Sequence, residues 1–90
     1  MYLHIGKDTV VQTDDIVGVF DIDTSSISST TREYLANAQQ SGKIINVTDD
    51  LPKSFIVCHE RREKKTRVYI SQISSTTLLK RCQSNHFTEF

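Results

Sequence analysis

Residues 53–81 read KSFIVCHERREKKTRVYISQISSTTLLKR, and the architecture of the chain follows from this stretch. Ser54-Phe55-Ile56-Val57-Cys58 is a short run of branched and aromatic residues, the composition that suits a pleated, packed strand. Glu60-Arg61-Arg62-Glu63-Lys64-Lys65 is too polar to bury and reads as a turn. Thr66-Arg67-Val68-Tyr69-Ile70-Ser71 alternates, with Val68 and Ile70 on one face and Arg67, Tyr69 and Ser71 on the other. Two such runs around a charged turn predict a β-hairpin. Ser74-Ser75-Thr76-Thr77-Leu78-Leu79-Lys80-Arg81 then predicts a short C-terminal helix. A hydroxyl residue can cap its first turn, and its last turn carries the positive charge that the helix dipole favours.

Upstream, Lys43-Ile44-Ile45-Asn46-Val47 predicts a strand, and Thr48-Asp49-Asp50-Leu51-Pro52 a loop. Pro52 disfavours a helix running through Leu51. Thr30-x-x-Glu33 is a capping-box pattern, and Ile27, Thr31, Tyr34, Leu35 and Ala38 keep helical spacing. They predict a helix over 30–41, ended by Gly42 in a left-handed conformation. Seven of the eight residues 24–31 are Ser or Thr, which reads as a polar loop and cap. Ile16-Val17-Gly18-Val19-Phe20-Asp21-Ile22 is apolar on both faces and predicts a central strand, with Gly18 marking a bulge or a close neighbour. Asp14 and Asp15 would point apart on a strand, so they suit a turn better than an acid–base pair. Met1–Ile5 and Thr9–Gln12, joined by Gly6-Lys7-Asp8, predict an N-terminal hairpin with His4 on the face opposite Leu3 and Ile5. The order β-β-β-α-β-β-β-α gives an α+β domain over residues 1–82: a mainly antiparallel sheet, one long helix packed on it and a short C-terminal helix. Residues 83–90 have no clear period and read as a C-terminal tail.

The chain has 90 residues, 37% hydrophobic and 24% charged, which bounds it to one soluble domain with a modest core. No apolar run approaches the roughly 20 residues of a membrane span, and the start lacks the pattern of a signal peptide. Cys58 and Cys82 are too few for a disulfide scaffold and read as reduced thiols of a cytoplasmic protein, with a single bridge between them as the alternative. The net charge of zero divides unevenly. Residues 1–52 carry three cations against eight carboxylates (−5), and residues 53–90 carry eight cations against three (+5). Such halves make a basic binding surface, two faces that dock between copies of the chain, or simply solvated charge.

Catalysis finds little support. No Ser or Cys sits in a nucleophile context such as G-x-S-x-G, and the three glycines form no phosphate-cradling loop. Cys58, His59, Cys82 and His86 are the zinc-type residues, but Cys58 and His59 are strand neighbours that point apart. No metal or cofactor is expected. The stronger signal is Arg61, Arg62, Lys64, Lys65 and Arg67, five cations within seven residues. Such a cluster neutralises phosphates and releases counterions, although a charged tip also solvates a turn. Tyr69 is the one aromatic close to it, short of the interleaving that a single-strand reader uses.

The opening Met1-Tyr2-Leu3-His4-Ile5-Gly6 resembles the Rem-type regulators of extracellular-matrix genes in spore-forming bacteria, most of all the shorter, RemB-like branch. The likeness continues at Val10-Val11-x-x-x-x-Ile16-Val17-Gly18-Val19-Phe20-Asp21 and at Pro52-Lys53-Ser54-Phe55-Ile56-Val57. It returns at Tyr69-Ile70-Ser71-x-Ile73-Ser74-Ser75-x-Thr77-Leu78-x-Lys80-Arg81 and spans residues 1–81. The resemblance implies a non-enzymatic, DNA-associated transcriptional regulator of matrix and biofilm genes. It also implies a LytTR-like fold and assembly into rings that present repeated basic sites to double-stranded DNA. The RemA-like branch has an Arg pair in the loop before the hairpin and another Arg before the third strand. This sequence has Leu51, Pro52 and Asp15 there, and only Lys53 stays basic nearby. The expected DNA-binding set is therefore Lys53, Arg61, Arg62, Lys64, Lys65 and Arg67, on a homo-oligomer. The alternative is an assembly module that regulates through a partner protein without touching DNA.

Overall fold

The apolar run of residues 54–58 divides between two core layers: Phe55 and Val57 face one, Ile56 and Cys58 the other. The computed structural model describes residues 1–22 and 29–88, as backbone alone beyond Gln83. In chain order it has β1 (Tyr2–Gly6), β2 (Thr9–Gln12), a 3-10 turn (Thr13–Asp15) and β3 (Ile16–Asp21). Then come α1 (Ser29–Gln40), β4 (Ile44–Asn46), β5 (Ser54–Glu60), β6 (Lys65–Ser71) and α2 (Ser75–Thr88). β1 and β2 form a two-stranded antiparallel hairpin. The other four strands form one sheet in the order β3-β5-β6-β4. The β3–β5 and β5–β6 pairs are antiparallel and the β4–β6 pair is parallel, so the α+β reading with a mainly antiparallel sheet holds.

Both faces of this sheet are covered. On one side Phe55, Val57 and Val68 pack with Ala38 and Leu35 of α1. On the other, Ile56, Cys58 and Tyr69 pack with Leu3, Ile5 and Val11 of the N-terminal hairpin and Leu78 of α2. Ile5, Ile56, Val68 and Leu78 are fully sealed from solvent. Each such aliphatic side chain stabilises the fold by about 1.5–3 kcal/mol.

Three expectations change. The strand at residues 16–22 is not central: β3 lies at the sheet edge, and β5 is the strand buried on both faces. At an edge only one flank is covered, so Val17 stays 68% exposed. Gly18 does mark a bulge, between Ile16 and Gly18, and the Phe20 ring lies where its Cβ would stand. The face of β6 that carries Tyr69 and Ser71 is covered. Tyr69 and Ser71 lie beneath the N-terminal hairpin, and the Ser71 hydroxyl donates to the Ile5 carbonyl at 2.5 Å. Thr30 is already helical, so Thr30-x-x-Glu33 is not the start of α1; residues 23–28, including Ile27, lie outside the described residues.

The C-terminal helix, last, is not short. With 14 residues it is longer than α1, which has 12, and it continues through 83–88, expected as a tail. Nothing between Cys82 and Phe90 is Gly or Pro, so no residue there breaks the helix, and Cys82 packs onto the core. Phe90 lies outside the described residues. Two helix ends expected from sequence do hold, the start of α2 and the close of α1. The Ser74 Oγ accepts from the Thr77 N–H at 3.2 Å, capping α2. Gly42 has φ +70°, the Lys43 N–H donates to the Ala38 carbonyl at 2.9 Å and the Gly42 N–H to the Gln39 carbonyl at 3.1 Å. That pair of bonds is a Schellman close for α1.

Candidate nucleic-acid interface

The register of β5 and β6 fixes the basic tip. Glu60 pairs with Lys65, so Arg61–Lys64 form a four-residue turn. Lys64 closes it with φ +53°, a left-handed conformation that few side chains adopt readily. Arg61, Arg62, Glu63, Lys64 and Lys65 are all exposed. Arg67 is different. It lies half-buried, with its Nε 3.2 Å from Glu60 Oε1 and its Nη2 3.5 Å from Glu63 Oε2. It also hydrogen-bonds the Tyr69 hydroxyl. Arg67 therefore clamps the tip to its own strand, while Lys65 stands 3.8 Å from Glu63.

Lys53 does not join this group. It precedes the opposite end of β5, bonded through its backbone to Ile22 and Ser71. The eight residue steps from it to Arg61 span about 26 Å of extended chain. One residue that sequence reasoning missed does join the tip. The parallel β4–β6 register, with Ile44 opposite Val68, puts Lys43 beside Arg67, and the Val68 N–H donates to the Lys43 carbonyl at 2.8 Å. Lys43 follows the glycine that closes α1, but only the parallel pairing shows where that chain end lands.

The tip separates two clefts of opposite charge. One, about 590 Å³, has Arg61 and Arg62 on its wall together with Asp14, Asp15, Glu60 and Glu63. Two guanidiniums against four carboxylates leave a formal −2. Cys58 and Tyr69 also line it. The Cys58 thiol is pushed up to about 11 by burial, reinforced by Asp15 and Glu60. Burial also raises Tyr69, partly offset by its hydrogen bond to Arg67. The second cleft, about 530 Å³, lies at the end of α1. Lys43, Lys64, Lys65 and Arg67 line it with no carboxylate, a formal +4. Among the described residues no ion pair engages Lys43, Lys64, Arg61 or Arg62.

The remaining candidates are structural. Cys58 is buried while His59 is exposed, with its Nδ1 3.2 Å from the Thr66 hydroxyl, so the two side chains point apart. Both Cys58 and Cys82 are free thiols. Exposed His4 contacts the Lys7 carbonyl within its own hairpin. Among the described residues no group of three or more His, Cys, Asp or Glu gathers to hold a metal ion. No helix among them is long and apolar enough to cross a membrane. An apolar groove of about 360 Å³ runs between edge strand β3 and α1, lined by Val17, Phe20, Tyr34, Phe55 and Val57. The Phe20 and Phe55 rings stack there with centroids 5.0 Å apart.

Comparison with known proteins adds the context. The family model "RemA-like: Extracellular matrix regulatory protein A-like" matches residues 2–82. Extracellular matrix regulatory protein B of Bacillus subtilis (strain 168) is 39% identical over 83 residues, which cover 92% of this chain and 91% of that protein.

Proposed function

The chain belongs to the RemA-like family of extracellular matrix regulatory proteins, and on that premise we propose that it is a non-enzymatic transcriptional regulator of matrix and biofilm genes that contacts double-stranded DNA as a homo-oligomer in the cytoplasm. The observation that carries the DNA contact is the exposed turn, where Arg61, Arg62, Lys64 and Lys65 stand in solvent at the end of a rigid hairpin. Of these only Lys65 has a carboxylate partner among the described residues, Glu63 at 3.8 Å, so the tip has uncommitted cations to offer phosphates. One copy offers few such cations, and non-specific duplex affinity rises with the number of phosphates neutralised. Repetition by self-assembly supplies the rest.

The test has two parts. Changing Arg61, Arg62, Lys64 and Lys65 together to Glu should weaken binding to mixed-sequence duplex at 50 mM salt by at least about 100-fold, given the steep dependence on phosphate neutralisation. Unchanged affinity removes the reading. Native mass should exceed that of one chain in low salt and rise again with duplex; a monomer in both conditions removes the oligomer.

A second reading has its own support. The apolar groove beside β3 is open, and Leu51 in the β4–β5 loop is 80% exposed, where the RemA-like branch has an Arg pair. Both features suit a protein partner better than a phosphate backbone. Under this reading Val17→Asp abolishes matrix-gene regulation and leaves duplex affinity unchanged. Under the DNA reading it leaves regulation intact.

A further inference from the structure

The two clefts at the hairpin tip are electrostatically unlike, and that difference sorts the basic residues. Arg61 and Arg62 wall a cleft that also holds Asp14, Asp15, Glu60 and Glu63. A phosphate approaching those guanidiniums enters a cleft that four carboxylates also line. At 4 Å two like unit charges repel by about 1 kcal/mol in water, and by more near a protein surface. The cleft at the end of α1 has the reverse character: Lys43, Lys64 and Lys65 converge on it, and no carboxylate lines it. Its fourth cation, Arg67, is held by Glu60 and Glu63, and Lys65 shares Glu63 at 3.8 Å in an exposed pair that a ligand can displace, while Lys43 and Lys64 have no ion-pair partner among the described residues. Gly42, on the same wall, has open space where a Cβ would stand, so nothing bulky hinders approach there.

We infer that the phosphate-contacting surface of this chain is the cleft formed by Lys43, Lys64 and Lys65, and that the Arg61–Arg62 side of the tip turns away from the phosphates. The ligand is the phosphodiester backbone of duplex DNA, so the inference rests on the DNA reading above and assigns it a face. It brings in Lys43, which lies 18 residues before Arg61 in sequence and reaches the site only through the parallel β4–β6 pairing.

The experiment measures duplex affinity across a salt series for the wild-type protein, for Lys43→Gln, for Lys64→Gln/Lys65→Gln and for Arg61→Gln/Arg62→Gln. Each phosphate that is no longer neutralised should make the slope of log K against log salt shallower by about 0.9, and affinity at 0.1 M salt weaker by roughly eightfold. Lys43→Gln should therefore show one such step and the double lysine variant about two, while the arginine pair stays at the wild-type slope. All these side chains are exposed, so thermal melting should match wild type and exclude unfolding as the cause. If the arginine pair flattens the slope as much as the lysine pair, or Lys43→Gln leaves it unchanged, the assignment of the face is overturned and DNA binding stands. If the wild-type protein fails to bind duplex at low salt, both the assignment and the DNA reading are overturned.

Discussion

The two ends of the β5–β6 hairpin do different jobs with equally polar residues. At the closed end, Ser54, Ser71 and Thr48 are buried and every hydroxyl is spent. Ser54 donates to the Ile73 carbonyl at 2.7 Å, Ser71 to the Ile5 carbonyl at 2.5 Å, and Thr48 to Gln72 at 2.6 Å. These bonds tie the N-terminal hairpin and the β4–β5 loop to the sheet. At the open end the polar residues are charged and exposed, and only Arg67 is committed to partners on both sides. Polarity alone therefore does not mark a binding surface. What marks it is polarity left unsatisfied where solvent, or a ligand, can reach it.

Damage to the closed end should have the largest effect. Ser71→Val removes the partner of both the Ile5 carbonyl and the Ile73 N–H, which bonds the same hydroxyl at 3.0 Å. An unsatisfied buried group costs about 1–3 kcal/mol, so a drop of about 3 kcal/mol is expected in urea unfolding. Arg61→Ser at the open end should change stability by less than about 0.5 kcal/mol. Equal drops at the two ends would erase the distinction.

Next in size is an effect of pH on the core beneath the tip. The Cys58 thiol keeps its proton up to about 11 in the folded chain, from an ordinary value of 9.0. Between those values the unfolded chain binds fewer protons than the folded one, so stability falls as pH rises. The contribution is full below about 9 and gone by about 11, and amounts to at most about 3 kcal/mol. Cys82 and Tyr69 are raised in the same direction, so Cys58→Val should flatten the decline without abolishing it. A slope identical to wild type would mean that the thiol is not held in a low-dielectric core.

The closed end was also the less legible of the two. Alternation in residues 66–71 identified the strand and put Tyr69 and Ser71 on one face, but period-two patterns name faces, not what covers them. The cover is the N-terminal hairpin, more than 60 residues away in sequence. Gly6 shows the same limit. Its place in a turn was readable, yet its φ of +154° and the Val47 carbonyl 2.8 Å from any Cβ are facts of tertiary packing. The apolar run of β3 read as central because its composition shows only that both faces are apolar, not that a neighbouring strand pairs on each side. At the tip, local sequence sufficed for the turn and its cations. Lys43 escaped because a parallel pairing has no local signature, and the capture of Arg67 by Glu60 and Glu63 depends on register.

The smallest predicted effect is the most discriminating, because its two readouts have opposite signs. Lys64 adopts φ +53°, where a side chain carries a strain of roughly 1–2 kcal/mol that glycine avoids. Glycine also gives the unfolded chain more freedom, which offsets roughly 0.5–1 kcal/mol of that relief. By that difference Lys64→Gly should stabilise the fold by roughly 0.5 kcal/mol while removing one of the three lysines of the cleft. A protein that melts higher yet binds duplex several-fold more weakly separates the tip's geometry from its charge. Weaker binding with lower stability would instead mean that the lysine side chain holds the turn together. The open end would then be a structural element like the closed one.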